Sequence, residues 1–74
     1  MISVPLTPRV RATARHMVRG MSHKQIADEM GCSVATVNVY AKRILDATGQ
    51  DNTIAAAVFM IRSAEWLTHI MGKD

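Results

Sequence analysis

The sequence predicts an all-α fold of four helices in one small domain, and three observations carry that expectation. Only three of the 74 residues are aromatic (Tyr40, Phe59 and Trp66), which weighs against a β-sandwich, while the Ala, Met, Leu and Ile content favours helices. Apolar residues recur at i, i+3, i+4 spacing along several stretches. Each stretch opens on a Ser, Thr, Asp or Asn, and three close on a glycine. With 49% hydrophobic and 20% charged residues the composition is globular, not that of a disordered tail. The length excludes a typical enzyme framework and implies a single domain over residues 1–74.

The first helix is expected over residues 8–19. Thr7 caps it, and Pro8 takes the first helical position, where a missing N–H costs nothing. Val10, Thr13, Ala14, Met17, Val18 and Met21 form its inner stripe, with Arg9, Arg11, Arg15 and Arg19 largely off it and Gly20 as its stop. The second helix is expected over residues 23–30. Ser22-His23-Lys24-Gln25 reads as a capping box, Ile26, Ala27 and Met30 face inward, and Gly31 ends the helix. A third, over residues 34–48, is capped by Ser33, buries Val34, Val37, Ala41, Ile44 and Leu45, and stops at Gly49.

A fourth helix is expected over residues 53–69, capped by Asp51 or Asn52. It carries two apolar stripes, Ile54, Ala57, Val58 and Ile61 beside Phe59, Ser63, Trp66 and Ile70. So small a domain needs one stripe for its own core, and a helix apolar on two faces is either fully buried or shared. The stripe of Ile54, Ala57, Val58 and Ile61 is therefore expected to form a dimer interface, with the small residues Ala55 to Ala57 allowing close approach.

The second and third helices are separated only by Gly31-Cys32-Ser33, too short a connection for an antiparallel hairpin. A short glycine-containing turn joining two helices at a steep angle is the helix-turn-helix arrangement. The charge pattern agrees with an anionic partner. Residues 1–49 hold seven basic groups against three acidic ones, while residues 50–74 hold two against three. Cys32, the single cysteine, excludes an internal disulfide and reads as a small buried hydrophobe. His16, His23 and His69 sit on different segments, so neither metal nor any other cofactor is expected. No Ser/His/Asp set, carboxylate pair or phosphate-cradling glycine loop stands out, and catalysis is not expected. Residues 1–5 lack the basic start and apolar run of a leader, and the apolar stretch from Ile54 to Ile61 is too short to span a membrane. The expected location is cytoplasmic.

Three runs of residues, in order and in register, then become recognisable: Leu6-Thr7-Pro8-Arg9, Gly20-Met21-Ser22-His23-Lys24-Gln25-Ile26-Ala27, and Gly31-Cys32-Ser33-Val34-Ala35-Thr36-Val37. They resemble the LuxR-type (GerE-like) DNA-binding domain, with its L-T-P-R-E, G-x-S-N-K-E-I-A and I-S-x-x-T-V-K-x-H pattern. The resemblance implies a tri-helical helix-turn-helix domain plus a fourth, dimerisation-type helix. It implies base contacts from Asn38, Val39 and Lys42 on the third helix. Phosphate contacts are expected from Lys24, Ser33, Thr36, Tyr40 and Arg43. With five residues before Leu6, the chain resembles the family's stand-alone members. It departs from the pattern at Val10 (usually Glu), Asn38 (usually Lys), Tyr40 (usually His) and Thr53 (near a usual Arg). The expected function is a sequence-specific transcription regulator binding duplex DNA as a homodimer. The alternative is a small module that pairs through its fourth helix with a full-length LuxR-type regulator and inhibits it.

Overall fold

A computed structural model of the chain describes residues 6–72. The leader reading of residues 1–5, and the charges of Lys73 and Asp74, lie outside the described residues. Among the described residues five helices follow one another: α1 (Pro8–Val18), α2 (His23–Met30), α3 (Val34–Thr48), α4 (Thr53–Ile61) and α5 (Ala64–Met71). The first three have the bounds that their caps imply, to within a residue. Thr7, Ser22, Ser33, Asn52 and Ser63 each place a side-chain oxygen on a backbone N–H three residues on, satisfying an amide that has no partner inside its helix. At α2 the box is reciprocal. The Gln25 N–H donates to Ser22 Oγ at 3.2 Å, and the Ser22 N–H donates to Gln25 Oε1 at 2.8 Å.

The helix expected over residues 53–69 is not continuous. It breaks at Arg62-Ser63, and α5 leaves α4 at 100°. Ser63, read from the sequence as part of an apolar stripe, instead caps α5 by accepting from the Trp66 N–H at 3.3 Å. Glu65 then sits in the first turn of α5, where a negative charge suits the helix dipole. The break lets one apolar run serve two directions.

The core follows from that bend. Val10, Ala14 and Met17 of α1 meet Ile26 and Ala27 of α2, Val37 and Ile44 of α3, Ala56 and Met60 of α4, and Trp66 and Ile70 of α5, with Leu6 closing the edge. Thr13 is also fully buried, its Oγ1 donating to the Arg9 carbonyl at 3.0 Å and touching Met30 Sδ at 3.3 Å. Ala56 and Met60, absent from both expected stripes, are the residues through which α4 enters the core. Val34, expected inside, is 41% exposed at the first position of α3. Cys32 is half-buried and packs against the core as a free thiol.

Two arginines counted in the basic balance are committed to the fold. Arg11 Nη1 donates to the Leu6 carbonyl at 2.9 Å, and Arg15 Nη1 donates to the Ile70 carbonyl at 2.7 Å. The second bond satisfies a carbonyl near the C-terminus of α5, where a positive charge is favoured. No single helix among the described residues is long and apolar enough to cross a membrane.

Candidate nucleic-acid interface

Helix α3 buries Val37, Ala41, Ile44 and Thr48 and turns its other side outward. Asn38, Val39 and Lys42 all lie on that exposed side, with Ala35 and Arg43. Val39 is 53% exposed, an aliphatic side chain held in water between an amide and an ammonium. The first turn of α3 carries no acidic residue, so nothing there repels an anion. Thus the structure brings the three expected base-reading residues onto one face.

The expected phosphate-contacting residues divide. Lys24 is exposed at the start of α2, and Arg43 is exposed on α3. Ser33 caps α3 by accepting from the Thr36 N–H at 3.1 Å, and its hydroxyl lies 3.0 Å from Thr36 Oγ1, so both side chains serve the helix start. Tyr40 is half-buried and packs against the core. The connection between α2 and α3 is tight because Gly31 takes a left-handed conformation (φ 67°) that a side chain would strain, and the Cys32 N–H reaches back to the Ala27 carbonyl at 3.0 Å.

One partnership on this face escaped sequence reasoning. His23 Nδ1 lies 2.7 Å from Asn38 Oδ1, joining the first residue of α2 to the second turn of α3. The two residues are 15 apart in sequence, and only the crossing of the helices brings them together. The other histidines behave differently. His16 Nδ1 and His69 Nε2 are buried with no hydrogen-bond partner among the described residues, and the His69 ring stands edge-on to Trp66 at 6.1 Å. Among the described residues no cluster of His, Cys, Asp or Glu side chains is placed to hold a metal ion.

Helix α4 presents Ile54 (77% exposed), Val58 (47%) and Ile61 (49%), with Ala57 half-buried between them. Together with Met17 and Val18 of α1, Met21 of the following turn and His23 of α2, they line an open apolar groove. The other expected stripe is divided: Trp66 and Ile70 are buried, while Phe59 meets Trp66 edge-on at 6.4 Å and remains partly exposed.

A short helix and a longer one joined by a tight turn at a left-handed glycine, the second presenting a polar and basic face, form a helix-turn-helix. The chain belongs to the luxR family of bacterial regulatory proteins, a family of DNA-binding transcription regulators, whose family model matches residues 4–60. It is 40% identical over 53 residues to the transcriptional regulatory protein UhpA of Salmonella typhimurium, and 38% identical over the same length to UhpA of Escherichia coli. Each match covers 72% of this chain and 27% of the relative, so the chain spans about a quarter of the length of these relatives. No solved structure matches the chain.

Proposed function

We propose that this chain is a sequence-specific transcription regulator that binds duplex DNA as a homodimer in the bacterial cytoplasm, with α3 in the major groove. The exposed set of Asn38, Val39 and Lys42 on the second helix of the turn carries the reading. An asparagine whose amide is free can pair with adenine N6/N7, a lysine with guanine O6/N7, and an exposed valine packs on a thymine methyl. Lys24 and Arg43 supply phosphate contacts at the two edges of that face. Ser33 and Thr36 add the N-terminus of α3, where amide groups and the dipole favour an anion. Tyr40 contributes through its hydroxyl, its ring being occupied by packing. The exposed stripe of Ile54, Ala57, Val58 and Ile61 forms the homodimer contact. Two-fold symmetry then requires a pseudo-palindromic site with half-sites about one helical turn apart.

A fluorescence-polarisation titration against random-sequence duplex DNA at two salt concentrations tests this reading. Binding that weakens steeply as salt rises is expected, because each neutralised phosphate releases counterions. No binding at the lower salt concentration overturns it. The 77% exposure of Ile54 also favours a second reading, in which α4 pairs with a full-length LuxR-type regulator and blocks it. A folded monomer that ignores DNA and co-purifies with such a regulator selects that alternative.

A further inference from the structure

We propose that His23 is a positioning residue that sets the base preference of Asn38 by holding its amide with the nitrogen turned toward the groove. The inference rests on the reading of α3 as the base-reading helix and extends it to a residue on α2.

A carboxamide has two unlike ends. Oδ1 only accepts hydrogen bonds, and Nδ2 only donates them. Free to turn about its last torsion, an exposed asparagine offers either end, and its selectivity depends on which end meets the base. In this structure Oδ1 lies 2.7 Å from His23 Nδ1. With the oxygen seated there, the ring nitrogen carries the proton and donates it, so that in the neutral ring Nδ1 is protonated and Nε2 bare. Amide and tautomer go together: turning the amide over would pair its N–H with a bare Nδ1 and the opposite tautomer.

His23 itself is held in place. It is the first residue of α2, and the reciprocal bonds between Ser22 and Gln25 set the path of the backbone there. The ring is half-buried, whereas Asn38 is exposed, so the constraint runs from the anchored ring to the free amide.

The consequence for recognition is directional. With its oxygen turned toward His23, Asn38 presents its NH2 group to the groove and favours an edge that offers acceptors. Guanine presents two, N7 and O6, and thymine one, O4, beside its methyl group, whereas adenine presents an acceptor beside an amino donor, and cytosine presents an amino donor. A freed asparagine pairs with adenine through both ends. His23 therefore biases the position read by Asn38 toward guanine, and its removal returns that position to adenine.

Two measurements on the full chain test this. The first needs no DNA: long-range nitrogen–proton correlation spectra of the neutral imidazole report which ring nitrogen is protonated. Protonation of His23 at Nδ1, lost in Asn38→Ala, is expected. A ring protonated at Nε2, whose bare Nδ1 would accept from the amide nitrogen and turn the carbonyl outward, overturns the proposal. The second is selection from a random duplex pool with the wild type, His23→Ala and Asn38→Ala. The position read by Asn38 is the one whose preference disappears in Asn38→Ala. There the wild type should favour guanine, and His23→Ala should move the guanine-to-adenine ratio toward adenine by at least about fivefold, the lower bound for one good base contact. A preferred sequence left unchanged by His23→Ala, with affinity uniformly lower, overturns the role of His23 alone. A wild type with no preferred sequence overturns the reading of α3 as a base reader, and this role with it, while the nitrogen spectrum still reports the pair independently.

Discussion

Lys42 and Lys24 carry the same charge and stand exposed on adjacent helices, yet their expected contributions differ in kind. A side chain that meets a base edge discriminates among sequences, while one that meets a phosphate strengthens all of them alike. Lys42→Ala is therefore expected to weaken binding to a preferred site by about 1–3 kcal/mol and to relax the preference at one base pair. Lys24→Ala should weaken every sequence equally and reduce the magnitude of the slope of log affinity against log salt by about one. Polarisation titrations on preferred and scrambled duplexes separate the two, and an identical, sequence-independent loss would refute the assignment of Lys42. The exposure of Asn38, Val39 and Lys42 was legible in the sequence, because helical periodicity puts them opposite Val37, Ala41 and Ile44. The bond from His23 to Asn38 was not, because it depends on how two helices cross. Nor did the sequence disclose that Arg11 and Arg15 spend donors on backbone carbonyls, since a stripe of arginines looks the same whether its guanidinium groups meet solvent or the fold.

Among the helices, starts proved easier to read than continuations. Caps are local chemistry, and the Ser22–Gln25 box appears in the structure as the spacing implies. Ser22→Ala removes an acceptor that serves the Gln25 amide, and an expected loss of about 1 kcal/mol follows. In so small a domain that lowers the melting temperature by several degrees, roughly 4–8 °C, measurable by circular dichroism. The interruption at Ser63 was missed because apolar residues on both sides of it fit one helical period. The available signal was Ser63 followed by Ala64-Glu65, a cap with a carboxylate in the first turn. Because of the bend, the apolar residues of α4 have unequal roles. Met60 is fully buried, and its replacement by alanine should cost about 2–5 kcal/mol through lost contacts and a cavity. Ile54→Ala, at a position 77% exposed, should change monomer stability by no more than about 0.5 kcal/mol. Urea denaturation of the two variants checks the contrast, and comparable losses would mean that α4 is seated the other way round.

For the molecule as a whole, the exposed face of α3 and the apolar face of α4 lie on different helices and are linked at His23, which lines the groove of α4 and bonds Asn38 of α3. Val58 is 47% exposed and lines the groove between α1 and α4, so a charge there meets water in the monomer. Val58→Glu should leave the helical spectrum intact and, in a homodimer, force an unpaired carboxylate into the seam at a cost of several kcal/mol. Sedimentation should then show a folded monomer, with DNA binding weakened in parallel because one half-site offers too few contacts. An unfolded chain would place Val58 in the core instead. The hydrogen bond from Arg15 to the Ile70 carbonyl has a consequence for how much of the chain the fold needs. It joins positions 55 residues apart, and Trp66 and Ile70 beside it complete a core whose other members begin at Leu6. Closing so long a loop is paid for in chain entropy before any contact across it is gained. The helix pair at the turn is drawn from neighbouring segments, whereas the wall behind it includes Trp66 and Ile70, so a chain ending after α4 is expected to lose that wall and melt at lower temperature than the full chain, measurable by circular dichroism.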